Sequence, residues 1–182
     1  TRLLADEQLR PIVIMNGFYM STFAAAQLTL LPLLLTGGGG AVGDGGATAA
    51  GLALSATAMG QVYMWMSITQ VLSNPLAGRF ADRSGKSAAI VAGGALTSLA
   101  VASVPQVCSY GLIGDSILDK SNWLMLASLS FWSLGGTLLA TSHVAAVSDQ
   151  VNDASRSQAI ALLRTSGDVG YLCGAACAGI SA

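Results

Sequence analysis

Charged residues are scarce in this sequence. Asp, Glu, Lys and Arg make up 9% of its 182 residues, whereas 53% are hydrophobic. A soluble globular domain contains about 25% charged residues, because its water-facing surface is built from them. The shortage of charge therefore excludes an ordinary soluble domain and indicates an integral membrane protein.

Other missing features exclude further classes of protein. The formal net charge is −1, so nothing in the composition suggests that the chain binds nucleic acid. Its three cysteines show neither a disulfide framework nor the CxxC spacing of a zinc site. The sequence contains one histidine, no HExxH motif and no Ser-His-Asp set. We therefore expect no enzyme activity, no metal and no cofactor.

Long stretches with few or no charges divide the chain into five segments. A helix that spans about 30 Å of hydrocarbon needs roughly 20 residues, and each stretch is long enough for one. Backbone groups in lipid are satisfied only in helices or closed barrels, and runs such as LPLLL and IVIM lack the alternation of a barrel strand. The sequence therefore predicts an all-α integral membrane protein with five transmembrane helices. The predicted spans are about 11–35, 51–76, 88–107, 122–146 and 158–182.

The basic residues predict how these spans are oriented. They concentrate on the N-terminal flank, after the second span and before the fifth span, and these regions share one side if five helices alternate. Cytoplasmic loops carry an excess of Lys and Arg, so we expect residues 77–87 to be a cytoplasmic turn. The Gly-rich segment 36–50 would then be an extracytoplasmic loop. Its GxGxxG match has no preceding strand and no acidic residue at the required distance, so we interpret it as a linker.

The stretch NPLAGRFADRSGKS, residues 74–87, ends in Gly-Lys-Ser like a phosphate-binding loop. Such a loop needs a glycine five residues before its second glycine, and that position holds Phe80. We therefore interpret the stretch as a tight turn between two helices.

Four residues of this turn have expected structural roles. Pro75 and Gly78 would end the second helix. Asp82 would accept hydrogen bonds from the first amides of the third helix, where the helix dipole favours an anion. Gly85 would allow the chain to reverse direction tightly.

Two charged residues fall inside the predicted fifth span. Arg164 and Asp168 are four residues apart and therefore share one helix face. A charged side chain at mid-bilayer costs about 2.5–3.5 kcal/mol, so we expect this intramembrane charge pair to face protein or water and to be functional. The open alternative is that the pair lies just inside the interface and neutralises itself.

The end of the fifth span is rich in small residues. Gly170 and Gly174 form a GxxxG motif, and Ala178 continues its spacing. Cys173 and Cys177 are one helical turn apart but have no further metal ligands nearby in the sequence. We therefore predict close helix packing rather than a metal site.

Polar and aromatic side chains also mark the first and fourth spans. Asn16, Tyr19 and Gln27 recur at helical spacing on the first, and Trp132 and His143 share a face of the fourth. A polar stripe that faced lipid would be costly, so we expect both faces to point to an interior. Ordinary helix–helix hydrogen bonding is the open alternative to ligand binding.

The turn resembles a known signature. GRFADRSGKS is similar to the sequence G-x-L-A-D-R-x-G-R-K that joins the second and third helices of a six-helix half in the major facilitator superfamily. Phe80 replaces the usual Leu, and Ser87 replaces the last basic residue. Segments 3–35 and 155–179 resemble the first and fifth helices of such a half. The matching turn positions are Gly78, Asp82, Arg83, Gly85 and Lys86.

The resemblance implies a fold, a function and a set of partners. The chain would contribute five helices of a six-helix bundle, most of the C-terminal half of a twelve-helix carrier, with the N-terminal half as the competing assignment. Its function would be secondary active transport of a small molecule by alternating access. The partners would be that substrate, a coupling ion such as a proton, the lipid bilayer, and either missing helices of the same protein or a second copy. A non-transporting membrane subunit or a truncated paralogue acting in assembly is the alternative.

The resemblance also implies roles for individual residues. In the family, the first and fourth helices of a half line the central cavity, and charges in the turn and the fifth helix latch one side. Gating would then involve the turn together with Arg164 and Asp168. The candidate substrate contacts are Asn16, Tyr19, Gln27, Trp132 and His143.

Overall fold

The computed structural model describes residues 7, 9–36, 54–109, 118 and 122–181. Within these residues the chain forms helices and no β-strand, which confirms the predicted all-α class. In chain order the elements are α1 (Leu9–Phe23), a π-helical segment (Ala24–Leu30), α2 (Leu31–Thr36), α3 (Ala56–Ser84), α4 (Lys86–Ser109), α5 (Trp123–Gln150) and α6 (Asp153–Ser181).

Two of these helices are long and apolar enough to cross a membrane, as judged by length and composition. They cover Lys86–Cys108 and Trp123–Gln150. The number of membrane spans therefore stays a prediction. The Gly-rich loop predicted at 36–50 lies, apart from its first residue, outside the described residues.

The first three elements form one continuous helical rod. Phe23 and Leu31, which flank the π-helical segment, both have right-handed helical backbone angles. The N–H of Leu31 donates to the carbonyl of Ala26, five residues earlier. Pro32 follows directly, and a proline ring crowds the carbonyl four residues before it, which favours a widened turn at this point. The wider turn shifts the direction of the side chains beyond Phe23.

Helix α5 is the centre of the fold. It packs along α4 and α3 and also contacts α6 and α1, whereas α1 packs chiefly on α6. One apolar core lies where α2, α3, α4 and α5 meet and includes Leu31, Met66 and Leu129. A second core joins α1, α5 and α6 and includes Val13 and Leu163. The pair formed by α1 and α6 therefore meets the group formed by α3, α4 and α5, and the contact runs along α5.

Small residues let two helix pairs approach closely. A Cβ atom added to Gly170 would overlap the backbone of Gly17, and one added to Gly174 would overlap the backbone of Ser21. Between α4 and α5, a Cβ atom on Gly93 would lie 2.9 Å from the carbonyl oxygen of Gly135. The packing role predicted for the GxxxG motif is therefore confirmed.

The end of α3 differs from the sequence prediction. The helix does not stop at Pro75 and Gly78 but continues through both of them to Ser84. An internal proline is tolerated in helices of this class because neighbouring groups satisfy the freed backbone carbonyl. Asp82 consequently lies in the last turn of α3, and the position before α4 is occupied by Gly85. The predictions that Pro75 and Gly78 end the helix and that Asp82 caps the next one were wrong.

Candidate functional site

The turn between α3 and α4 is made by a single residue. Gly85 has a φ of 88°, which lies in the left-handed region that glycine adopts without steric cost. Its N–H donates to the carbonyl of Ala81 at 3.1 Å, and its own carbonyl accepts from the N–H of Ala89 at 3.1 Å. The reversal is so short that the charged last turn of α3 lies beside the first turn of α4.

An ion pair ties this turn to α5. Lys86, the first residue of α4, pairs through its Nζ with Oδ2 of Asp149, near the end of α5. Sequence analysis missed Asp149. The signal was present, because Asp149 is the first charge after the uncharged fourth span, and antiparallel neighbours place the start of one helix beside the end of the other.

Breaking this ion pair should have a small effect on stability. The two side chains are 27% and 63% exposed, so we expect alanine at Lys86 or Asp149 to lower the free energy of unfolding by about 0.2–1 kcal/mol. Thermal unfolding of the two single variants and the double variant measures the coupling between the residues.

The control for this cycle is the pair formed by Arg156 and Asp153. Their atoms lie 2.9 Å apart within one helix, and both side chains are more exposed than their counterparts in the first pair, so we expect a coupling of about 0.2–0.5 kcal/mol. If Lys86→Ala and Asp149→Ala are fully additive, the pair contributes nothing.

The predicted intramembrane charges lie well along α6. Arg164 is about 16 Å from Asp153, the first residue of the helix, at roughly 1.5 Å per residue. Both Arg164 and Asp168 are exposed, and no ion pair joins them to Asp82 or Arg83 within the described ranges. The implied gating set is therefore separated into two places in this conformation.

A cavity of about 380 Å³ lies beside these charges, between α1, α5 and α6. We call it the α6 cavity. Arg164 and Asp168 supply its charged groups, Asn16 lies on the α1 side, and Ala140 and Val144 form the α5 side. The cavity thus combines an apolar wall with one cation, one anion and one amide.

Asn16 connects α1 to α6. Its Nδ2 donates to the carbonyl of Leu163 at 2.8 Å and to Oγ of Ser166 at 3.4 Å. Ser166 Oγ in turn donates to the same carbonyl at 2.8 Å. Asn16 therefore borders the α6 cavity and also fixes the position of α1 on α6.

Tyr19 and His143 lie in a different place. The Tyr19 hydroxyl donates to the carbonyl of Gly136 at 3.2 Å, and the two ring centroids are 6.2 Å apart. They line a cavity of about 220 Å³ between α1, α4 and α5, together with Thr97. His143 is 1% exposed, and neither its ring nitrogens nor the Thr97 hydroxyl has a hydrogen-bond partner in the part of the chain that the structure describes. Sequence analysis missed Thr97, and nothing in its spacing distinguishes it from a packing residue.

The remaining two candidates lie in the main core. Trp132 is 4% exposed and packs in the apolar core of α2, α3, α4 and α5. Gln27 is buried in the π-helical segment, where its backbone carbonyl accepts a hydrogen bond from the Tyr63 hydroxyl at 3.2 Å. The five predicted substrate contacts are therefore distributed over three sites, and only Asn16 borders the α6 cavity.

Together these features define a class of protein. The described residues form an all-helical bundle with two apolar helices of membrane length and close helix contacts at small residues. The chain belongs to the Major Facilitator Superfamily, whose family model matches residues 12–182. No curated protein and no solved structure matched the chain. Members of the family are multi-pass membrane proteins that transport small molecules, which is consistent with the expected lack of enzyme activity.

Proposed function

We propose that this chain forms part of a secondary active transporter that moves a small molecule across a membrane by alternating access. Membership of the family supports membrane transport in general. The observation that carries the finer proposal is the α6 cavity, where Arg164 and Asp168 lie against an apolar wall. If α6 spans the membrane from its first residue, Arg164 lies close to the middle of a hydrocarbon core of about 30 Å, and charged side chains at that depth face a partner or a water-filled path.

The α6 cavity has the size and chemistry of a small-molecule site. Ligand pockets usually enclose about 300–1,000 Å³ and combine apolar walls with a few polar groups that orient the ligand. The volume of about 380 Å³ falls in this range. Arg164 would bind an anionic group of the substrate, Asp168 a cationic group or a proton, and Asn16 a polar group. The proposed substrate is a small amphipathic molecule that carries at least one charged or strongly polar group.

The proposed transport unit has five spans in this chain. The continuous rod from α1 to α2, helix α3 and helix α6 would cross the membrane with their polar faces covered by other helices, beside the two more apolar spans. The α3–α4 turn, the end of α5 and the start of α6 would then share the cytoplasmic side, in agreement with their basic residues.

The turn is the proposed gate. Lys86 and Asp149 hold α4 and α5 together at this end, whereas Asp82 and Arg83 are exposed. These exposed charges would bind the opposite helical bundle in one of the two states and release it in the other. The two states would differ in the contacts that a few charged residues make. Such a difference in contacts is enough to shift the equilibrium between the states.

Loss of the Asp168 carboxylate should reduce transport. We expect Asp168→Asn to lower uptake about tenfold or more, because a hydrogen bond to a charged group contributes roughly 1.5–3 kcal/mol. The measurement is uptake of a panel of labelled amphipathic molecules by proteoliposomes. Asp153→Asn is the matched control, since Asp153 is exposed and lies at the start of the same helix.

Two results would contradict the proposal. Equal uptake by the wild type and by Asp168→Asn would show that the α6 cavity is not the substrate site. No uptake of any compound by well-folded protein would favour the alternative, a non-transporting membrane subunit.

A further inference from the structure

A second cavity lies away from the candidate substrate site. It occupies about 560 Å³ between α3, α4 and α5, beside the α3–α4 turn. Its floor includes Leu138 and its sides include Leu76, Phe80 and Leu96. Leu76 and Phe80 are 58% and 41% exposed, so the cavity opens on an apolar outer face of the bundle. None of its lining residues belongs to the α6 cavity.

The cavity extends over much of the depth of one leaflet of a bilayer. Its lining residues on α3 run from Leu76 to Ser84, which is about 12 Å at roughly 1.5 Å per residue. A hydrocarbon core of about 30 Å gives each leaflet about 15 Å. The apolar walls cannot form hydrogen bonds with a soluble anion. They can pack against an acyl chain that enters from the surrounding lipid.

The mouth of the cavity is positively charged. Arg79 and Arg83 both line it, and their spacing of four residues places them on one face of α3. The lining residues that the structure describes include no carboxylate, whereas the nearby Lys86 is already paired with Asp149. A guanidinium group binds phosphate through two parallel hydrogen bonds, so two adjacent arginines form a receptor for a phosphate diester at the end of an apolar slot.

We propose that this cavity binds an anionic phospholipid, with an acyl chain between α3 and α4 and the phosphate at Arg79 and Arg83. The proposal rests on the membrane location of the chain but not on its transport activity. Arg83, which also belongs to the proposed gate, would bind the phosphate in the state in which it is released from the opposite helical bundle. The charge at the mouth, the apolar interior and the opening on the outer face all fit the same ligand. A bound lipid at this position would bridge α3 and α4 beside the turn that joins them.

The test measures lipid retention by the purified complete protein. The protein is titrated with phosphatidylglycerol or phosphatidylcholine of equal chain length, and native mass spectrometry measures how much lipid stays bound. We expect the wild type to retain phosphatidylglycerol in preference to phosphatidylcholine. The double variant Arg79→Gln/Arg83→Gln should lose roughly 25-fold in affinity for it, since each basic residue near an anionic lipid contributes roughly fivefold. Arg156→Gln is the control, because Arg156 pairs with Asp153 and lies outside the cavity.

A second variant distinguishes lipid binding inside the cavity from electrostatic attraction of lipid to the protein surface. Ala92→Phe adds a ring to the cavity wall without changing charge, and it should reduce retention of both lipids while the protein elutes as a folded species in gel filtration. An undiminished phosphatidylglycerol preference in Arg79→Gln/Arg83→Gln would overturn the proposal, as would full retention in Ala92→Phe. Displacement of the lipid by inorganic phosphate alone would likewise overturn it, because a free anion would then be the ligand.

Discussion

Replacing Gly170 with alanine is expected to destabilise the protein by about 1–3 kcal/mol, the usual cost of adding atoms to a packed interior. The added Cβ atom would overlap the backbone of Gly17 in α1. A backbone cannot move aside by changing a rotamer, so α1 and α6 must separate. That separation would also strain the hydrogen bond from Asn16 to Leu163, which is 2.8 Å long. Thermal unfolding in detergent measures the effect.

Two other glycines provide matched controls for this experiment. A Cβ atom on Gly179, in the same helix, or on Gly94, in the middle of α4, would contact nothing within 4 Å among the described residues apart from the adjoining backbone of its own helix. Alanine is favoured over glycine in a helix by about 1 kcal/mol, so both controls should be neutral or more stable. If Gly170→Ala unfolds at the same temperature as Gly179→Ala, the close approach of α1 and α6 is incorrect.

Replacing Asp82 with asparagine is expected to abolish transport without preventing membrane insertion. Asp82 is exposed at the end of α3, so the isosteric change removes a charge without leaving a cavity. If its carboxylate binds the opposite bundle in one state, the lost hydrogen bond of roughly 1.5–3 kcal/mol shifts the equilibrium between the states by about 10- to 150-fold. Uptake by proteoliposomes, compared at equal amounts of inserted protein, measures this change.

The charge-preserving variant identifies the cause. Asp82→Glu keeps the carboxylate and should retain part of the activity, whereas a purely structural role would make both variants equally harmful. Normal transport by Asp82→Asn would show that the turn does not gate through this residue.

Several features of the fold were predictable because they depend on neighbouring residues alone. The scarcity of charge indicates helices in a membrane, since a backbone in lipid must satisfy its own hydrogen bonds. The GxxxG motif of Gly170 and Gly174 indicates a close contact for a similar reason, because its small residues leave room for another backbone. The all-α class, the packing role of this motif and the family were all confirmed.

The end of α3 was mispredicted because residue preferences were given too much weight. Pro75 and Gly78 are helix breakers in water, yet α3 continues through both. Its end is set by Gly85, the residue with positive φ. The tight reversal predicted at Gly85 is confirmed, but the continuation of α3 as far as Ser84 depends on how α3 and α4 pack on α5.

The sequence by itself determined the family, the all-α class and the close packing at the GxxxG motif. Only the tertiary structure decided which polar residues meet. Asn16 and Tyr19 are three residues apart, or about 300° around a helix of 3.6 residues per turn, and this rotation directs one to α6 and the other to α5. The widened turn before Pro32 redirects Gln27. Which neighbour a side chain contacts depends on helix rotation and helix order, and both are set by packing between segments far apart in the chain.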